Sequence, residues 1–187
     1  MWPTAATSTR ILAVLLLSGV GLWALPGAGM LPAPKPRAAL NVLFVQAPSG
    51  SGGDGFAYNE LQRLGYSISI KPSGTVKASD AVGMDLIVVT STATRSQIST
   101  LFTNSTVPLL TWNSGTMSDL GMTGGTSGTD YGTTGSQTAV SIVTPSHPLA
   151  AGLTGTVTVT TQGDTYSWGV PSASAILVAS LTGVGTR

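Results

Sequence analysis

Three glycines follow the first apolar run of the sequence at a spacing that could bind a phosphate. Gly50, Gly52 and Gly55 in VQAPSGSGGDGF form a G-x-G-x-x-G pattern between a predicted strand and a predicted helix, and such a loop can direct backbone N–H groups at a pyrophosphate. The dinucleotide fingerprint begins directly at the end of its strand, whereas four residues separate the apolar run from Gly50. The second predicted strand is followed by Lys71 rather than by an acid that would bind a ribose. The pattern therefore does not predict a nucleotide site, and Asp54 is interpreted as the N-cap of the helix.

Ser91 and His147 are the residues whose types could support hydrolysis. Ser91 follows a continuously apolar run, and His147 is the only histidine that could serve as its base. A nucleophile elbow needs small residues, usually Gly, two positions on either side of the serine, but Val89 and Ala93 stand there. A lone histidine followed by proline more often caps a turn through a backbone hydrogen bond. Both residues are therefore weak catalytic candidates, and a structural role is favoured for His147.

Metal and cofactor chemistry is not indicated by the sequence. The chain contains no Cys, which excludes disulfides, thiol-linked lipids and thiolate catalysis. One histidine among scattered aspartates has no metal-ligand spacing. Asp119 and Asp130 lack the alternate-residue acid spacing of a calcium loop. We predict neither a metal site nor a cofactor.

A set of polar and aromatic side chains lies in the loops expected at the carboxyl ends of the strands. Ligands of open parallel sheets bind at that edge. A flat aromatic ring beside amide, carboxylate and hydroxyl groups suits a sugar, whose apolar face stacks while its hydroxyls form hydrogen bonds. The predicted ligand-binding residues are Thr92, Trp112, Asn113, Ser114, Asp130 and Tyr131. The alternative is that the tryptophans are core aromatics.

The elements that must position these residues alternate between strands and helices. Four short apolar runs are predicted as strands: NVLFVQ, YSISI, DLIVVTS and VPLLTW. Two segments are predicted as helices: GFAYNELQRLG, with Phe56, Leu61 and Leu64 on its apolar face, and RSQISTLFTN, with Ile98, Leu101 and Phe102. Strands that are apolar on both faces and separated by helices predict a mostly parallel sheet covered on both sides.

The amino-acid composition changes after Trp112. The segment from residue 113 to residue 137 is rich in Gly and Thr and is predicted to contain at most one helical turn. Beyond it, TAVSIV, TVTVTT and AILVASL are predicted as strands. The sequence therefore predicts an α/β protein with a β-rich C-terminal part.

Residues 1–29 have the pattern of a secretory signal peptide. Arg10 closes a short basic region, an apolar run of secretory length extends from Ile11 to Leu25, and PGAGM supplies helix breakers and small residues. The alternative is an uncleaved membrane anchor, since no charge occurs from Ile11 until Lys35. Residues 30–40 are predicted as a Pro-rich spacer. We expect a secreted or extracellular protein, which would be attached to a membrane only if the leader stayed uncleaved.

The charge of the remaining chain excludes one class of partner. Only 8% of all residues are charged. From Asn41 onward five basic residues face seven acidic ones, which leaves a net charge of −2. Because no basic stripe is present to neutralise phosphates, nucleic-acid binding is not expected.

Two segments near the C-terminus carry a resemblance to a known family. SHPLAAGL (Ser146 to Leu153), followed by TYSW (Thr165 to Trp168), resembles the His-Pro-x-x-x-Gly-Leu element and trailing aromatic segment of trehalose-utilisation (ThuA-like) proteins. Those proteins have the class I glutamine amidotransferase-like, flavodoxin-like fold. LGYSISI, DLIVVTSTA, VPLLTW and DLGMTGGTSGTDYG resemble, more closely still, domains of unassigned function in large secreted bacterial proteins. The resemblance covers residues 41–187 and implies a flavodoxin-like α/β domain.

The resemblance also bears on activity. Amidotransferase relatives place a Cys nucleophile in the turn after a central strand, and the matching VVTSTAT has none, so that activity is excluded. Such domains continue past the strand matching AILVASL into another strand and a closing helix, so the resemblance implies either that the domain 41–187 is incomplete or that its sheet ends differently. The combined prediction is a secreted, non-catalytic accessory module that binds carbohydrate or a cell-surface glycan. The alternative is a Ser/His hydrolase or a sugar-converting enzyme of the ThuA-like fold.

Overall fold

The computed structural model describes residues 39–48 and 52–181. The predicted signal peptide and nearly all of the Pro-rich spacer lie outside these residues. Gly50 of the glycine pattern and residues 182–187 lie outside them as well.

The first half of the described chain forms a four-stranded parallel sheet. Its strands are β1 (Asn41–Gln46), β2 (Ser67–Pro72), β3 (Leu86–Val89) and β4 (Leu109–Thr111). They lie in the order β2-β1-β3-β4, and all three pairings are parallel. This is the order of the first four strands in flavodoxin-like folds. All four strands were predicted from their apolar runs, and that prediction is confirmed.

Helix α1 (Gly52–Arg63) covers one face of the sheet. Tyr58 and Leu61 pack against a buried cluster of Val42, Phe44 and Val88, and the rings of Phe44 and Tyr58 meet edge to face at 6.1 Å. Of the predicted apolar face of this helix, Leu61 is confirmed, but Phe56 and Leu64 are wrong, because Phe56 is 79% exposed and Leu64 is also exposed. Asp54, Ala57, Tyr58 and Leu61 follow the 3.6-residue period and form the inner face instead.

The other face of the sheet is covered by short elements. A 3₁₀ helix (Ala78–Ala81) and helix α2 (Arg95–Ile98) lie over a buried cluster built around Leu43, Val45, Ile87 and Val89. Helix α2 is much shorter than the predicted RSQISTLFTN, since Ser99 adopts a positive φ of 41° directly after it. Nevertheless the predicted apolar positions are correct: Ile98 and Phe102 are buried, and Leu101 packs against the cluster.

The C-terminal part adds two antiparallel sheets after helix α3 (Ser114–Met117). One sheet pairs β5 (Tyr131–Gln137) with β8 (Asp164–Gly169). The other has the order β7-β6-β9, formed by β6 (Ala139–Ile142), β7 (Gly155–Thr158) and β9 (Ala179–Leu181). Strands β5 and β8 were not predicted, and the predicted strand AILVASL is confined to its last three residues, Ala179–Leu181.

Candidate functional site

A buried carboxylate lies at the carboxyl edge of the parallel sheet. Asp54 is 1% exposed and sits in the first turn of α1, where the helix dipole favours a negative charge. Its interpretation as an N-cap is wrong, because the helix already begins at Gly52 and the side chain turns inward to the end of β3. Asp54 is the third residue of the helix, and this position lies on the same face as Ala57, Tyr58 and Leu61, whereas the N-cap position does not.

Threonine hydroxyls satisfy this carboxylate. Thr90 donates a hydrogen bond of 2.8 Å to Asp54 Oδ2, and Thr92 donates to the same oxygen. The Thr92 hydroxyl also accepts a hydrogen bond of 3.1 Å from the backbone N–H of Ala47. The cluster joins the end of β1, the start of α1 and the end of β3, because each of these segments supplies one of the bonded groups. This arrangement fixes the backbone at the edge where a ligand of an open sheet would bind.

The weak nucleophile candidate Ser91 lies beside this cluster. Ser91 is exposed, and its hydroxyl is 3.5 Å from Asp54 Oδ1, the outer limit of a hydrogen bond. In such a pair the exposed hydroxyl could act as nucleophile and the carboxylate as its base. Asp54, however, already accepts two shorter hydrogen bonds from threonines. The threonines thus engage Oδ2, and Ser91 meets the other oxygen, Oδ1, only at the limit of a hydrogen bond.

Asn113 connects two loops at the same edge. Its Nδ2 donates hydrogen bonds to the carbonyl oxygens of Thr90, Ser91 and Ala93, the shortest being 2.8 Å. Its Oδ1 caps helix α3 by accepting from the N–H of Gly115 at 3.1 Å. Ser114, another predicted ligand-binding residue, is the first residue of α3 and is half-buried. The Asn113 amide thus forms structural bonds on both of its polar atoms.

The aromatic predicted to stack on a ligand lies on the α1 side of the sheet. Trp112 is half-buried and packs against the Val42, Phe44 and Val88 cluster. It therefore contributes to the hydrophobic core, as in the alternative considered for it above.

Tyr131 and Asp130 also form internal contacts. Tyr131 is 5% exposed, and its hydroxyl accepts a hydrogen bond of 2.9 Å from Arg95, whose guanidinium lies 5.7 Å from the ring centroid. The Asp130 carboxylate accepts a hydrogen bond of 2.8 Å from the N–H of Thr126 in its own loop. Both side chains hold the chain as it enters β5.

Arg95 also binds Asp119. Its Nε and Nη2 each donate a hydrogen bond of 2.8 Å to that carboxylate. These hydrogen bonds lower the pKa of Asp119 below its usual range and raise the pKa of Arg95 above its ordinary value. Because both side chains are partly exposed, solvent limits the contribution of the pair to stability. The pair ties α2 to the segment that follows α3.

His147 lies in the other half of the protein, between β6 and β7. Its Nδ1 accepts a hydrogen bond of 3.2 Å from the N–H of Leu149 and so caps a 3₁₀ helix (Pro148–Ala150). Ser91 lies at the end of β3 in the parallel sheet, and its hydroxyl is directed to Asp54 rather than to an imidazole. The geometry thus gives the two weak catalytic candidates separate structural partners.

A cleft of about 850 Å³ lies between the two antiparallel sheets. We call it the inter-sheet cleft. Tyr166 and Trp168 of β8 line it together with Thr134 of β5, and residues of β6 and β9 form the opposite side. Its volume falls in the usual range for small-molecule sites.

Trp168 has an unusual environment within this cleft. Its indole lies over Gly132, the residue paired with it across the strands, and a Cβ at that position would come within 2.9 Å of the ring. The indole nitrogen is covered and has no hydrogen-bond partner among the described residues. An unpaired buried donor costs about 1 to 3 kcal/mol, so a partner for this N–H would stabilise the folded state.

The described residues contain neither a cluster of metal-binding side chains nor a helix that could span a membrane. Within residues 39–48 and 52–181, no group of three or more His, Asp or Glu side chains is placed to hold a metal ion. In that same part of the chain, none of the helices has the length and apolar character needed to cross a membrane.

The parallel sheet in the order β2-β1-β3-β4, with helices on its faces, defines an α/β protein of the flavodoxin-like fold. A solved structure with this fold, described as a "putative gmp synthase subunit a protein" from Thermoplasma acidophilum, matches with a TM-score of 0.57. The match has 16% sequence identity and covers 79% of this chain and 75% of that chain. It supports the coarse amidotransferase-like fold expected from the sequence. No family model and no curated protein matches the chain.

Sequence reasoning missed the cluster around Asp54 and the residues of the inter-sheet cleft. The Asp54 cluster could have been found from the sequence pattern, because Asp54 precedes Ala57, Tyr58 and Leu61 at helical spacing and Thr90 ends an apolar strand. The sequence pattern for the inter-sheet cleft is weaker. Tyr166 and Trp168 are two residues apart, which in a strand places both rings on one face.

Proposed function

We propose that this protein is a non-catalytic accessory module, exported from a bacterial cell, that binds carbohydrate at the cell exterior. The observation that carries the non-catalytic part is the bonding at the carboxyl edge. The Oδ2 oxygen of Asp54 accepts hydrogen bonds from Thr90 and Thr92, and the Asn113 amide is bonded to loop carbonyls and a helix N-terminus. Groups that are bonded to their own fold provide stability rather than a reactive site.

Carbohydrate is the ligand class that the composition of the chain supports. Few side chains are charged, hydroxyl-bearing residues are abundant, and the aromatic residues Tyr166 and Trp168 line the inter-sheet cleft. Neutral hydroxyls and flat rings are complementary to the two faces of a sugar. Export is proposed from the leader alone, since the predicted signal peptide lies outside the described residues.

The test of the non-catalytic assignment compares three proteins on ester, peptide and glutamine substrates. Ser91→Ala removes the candidate nucleophile, and Ser96→Ala removes another exposed serine a few residues away. We expect the wild-type protein and both variants to give the same background rate. Turnover by the wild type that is lost in Ser91→Ala and kept in Ser96→Ala, with unchanged circular dichroism, would contradict the proposal.

One observation favours a second candidate function, a serine hydrolase. Ser91 is exposed and lies 3.5 Å from the carboxylate of Asp54, so the pair could act as nucleophile and base if the contact shortened on substrate binding. The same comparison decides between the two functions, because the hydrolase requires the Ser91 hydroxyl and the binding module does not.

A further inference from the structure

The lining of the inter-sheet cleft restricts what it can bind. Among residues 39–48 and 52–181, no Asp, Glu, Lys, Arg or His lines it. A phosphate or a carboxylate would therefore lose its hydration in the cleft without gaining a charged partner. The chemistry of the lining favours a neutral ligand.

The arrangement of rings and hydroxyls restricts it further. Tyr166 and Trp168 project from the same face of β8, because they are two residues apart in the strand. The hydroxyl-bearing residues Thr134 and Ser180 also line the cleft, one from β5 and the other from β9 on the opposite side. An apolar surface with hydroxyls around it matches a sugar ring, which has apolar C–H faces and a rim of hydroxyl groups.

We propose that the inter-sheet cleft is the carbohydrate-binding site of this protein, and that it takes a neutral sugar ring against Tyr166 and Trp168. The inference rests on the proposed function and places it away from the carboxyl edge of the parallel sheet. The unpaired indole N–H of Trp168 gives a reason for binding there. A sugar oxygen that accepts this hydrogen bond, after a small shift of the indole towards the cleft, supplies the missing partner.

The experiment first screens the full-length protein on an array of neutral and acidic glycans, and then measures the dissociation constant of the strongest neutral hit by calorimetry. Trp168→Phe keeps an aromatic ring but removes the N–H. Trp112→Phe is the matched control, because Trp112 packs on the α1 side of the parallel sheet. Ser180→Ala is a milder change on the opposite side of the cleft and serves if Trp168→Phe folds poorly.

We expect Trp168→Phe and Ser180→Ala each to weaken binding about 3- to 10-fold, the usual effect of losing one hydrogen bond, and Trp112→Phe to bind like the wild type. A neutral glycan that binds all four proteins equally overturns the cleft as the site and leaves the proposed function standing. Binding of acidic glycans alone also overturns the cleft proposal. A protein that binds no glycan overturns both.

Discussion

At the residue scale, the main finding is how a buried acid is kept in a structural role. Asp54 is almost completely buried and sits beside the exposed Ser91. A buried acid next to an exposed serine is typical of a catalytic site. The Oδ2 oxygen of Asp54 nevertheless accepts hydrogen bonds from the hydroxyls of both Thr90 and Thr92 at the end of β3. Hydrogen bonds from neutral donors allow a carboxylate to remain buried where no cation is paired with it.

A variant of Thr90 tests this structural role. Thr90 is fully buried, so Thr90→Val removes one donor to the carboxylate with little change of shape. Because a hydrogen bond to a charged group contributes about 1.5 to 3 kcal/mol, we expect a loss of that size in the free energy of unfolding, measured by urea denaturation.

The matched control is Thr133→Val, which makes the same change at an exposed position of β5. It should alter the free energy of unfolding by no more than about 0.5 kcal/mol. Equal stability of the two variants would mean that the buried carboxylate does not depend on the Thr90 hydroxyl.

At the scale of elements, the parallel sheet could be predicted from the sequence because its strands carry an uninterrupted signal. Residues 42–45 of β1 and 87–89 of β3 are apolar and fully buried, as expected of strands covered on both faces. Helix α2 was predicted too long, because apolar spacing continues past Ile98 while the backbone turns at Ser99. Leu101 and Phe102 therefore pack against the buried cluster although they lie beyond the end of α2.

The elements of the C-terminal part could not be predicted as well, because their signal is not local. Strand β5 has the sequence YGTTGSQ, whose glycines and threonines indicate a loop. It forms a strand because β8 pairs with it, with the indole of Trp168 lying over Gly132. The inter-sheet cleft depends on this pairing, so the sequence alone did not reveal the cleft.

At the scale of the whole molecule, the protein combines a flavodoxin-like parallel sheet with two antiparallel sheets. The carboxyl edge of the parallel sheet is held together by internal hydrogen bonds, and the inter-sheet cleft lies in the antiparallel part. We therefore infer that the parallel sheet serves as a scaffold for the antiparallel part.

The leader belongs to the same scale, since it decides where the whole protein acts. We predict a mature chain that starts near Gly29 or Met30, because the apolar run has secretory length and PGAG follows it. Mass spectrometry of the protein recovered from the medium of the producing bacterium would give this N-terminus. Recovery of the protein with Met1 intact in the membrane fraction would replace secretion with anchoring.

One measurement tests the central claim, which is that the carboxyl edge is structural and the inter-sheet cleft binds the ligand. The protein is labelled with ¹⁵N and titrated with the neutral glycan found on the array, while backbone and indole N–H resonances are followed by NMR. The account predicts shifts at Tyr166, Ser180 and the indole N–H of Trp168, with Ser91 and Asn113 unchanged. Shifts at Ser91 and Asn113 without any change at Trp168 would contradict it.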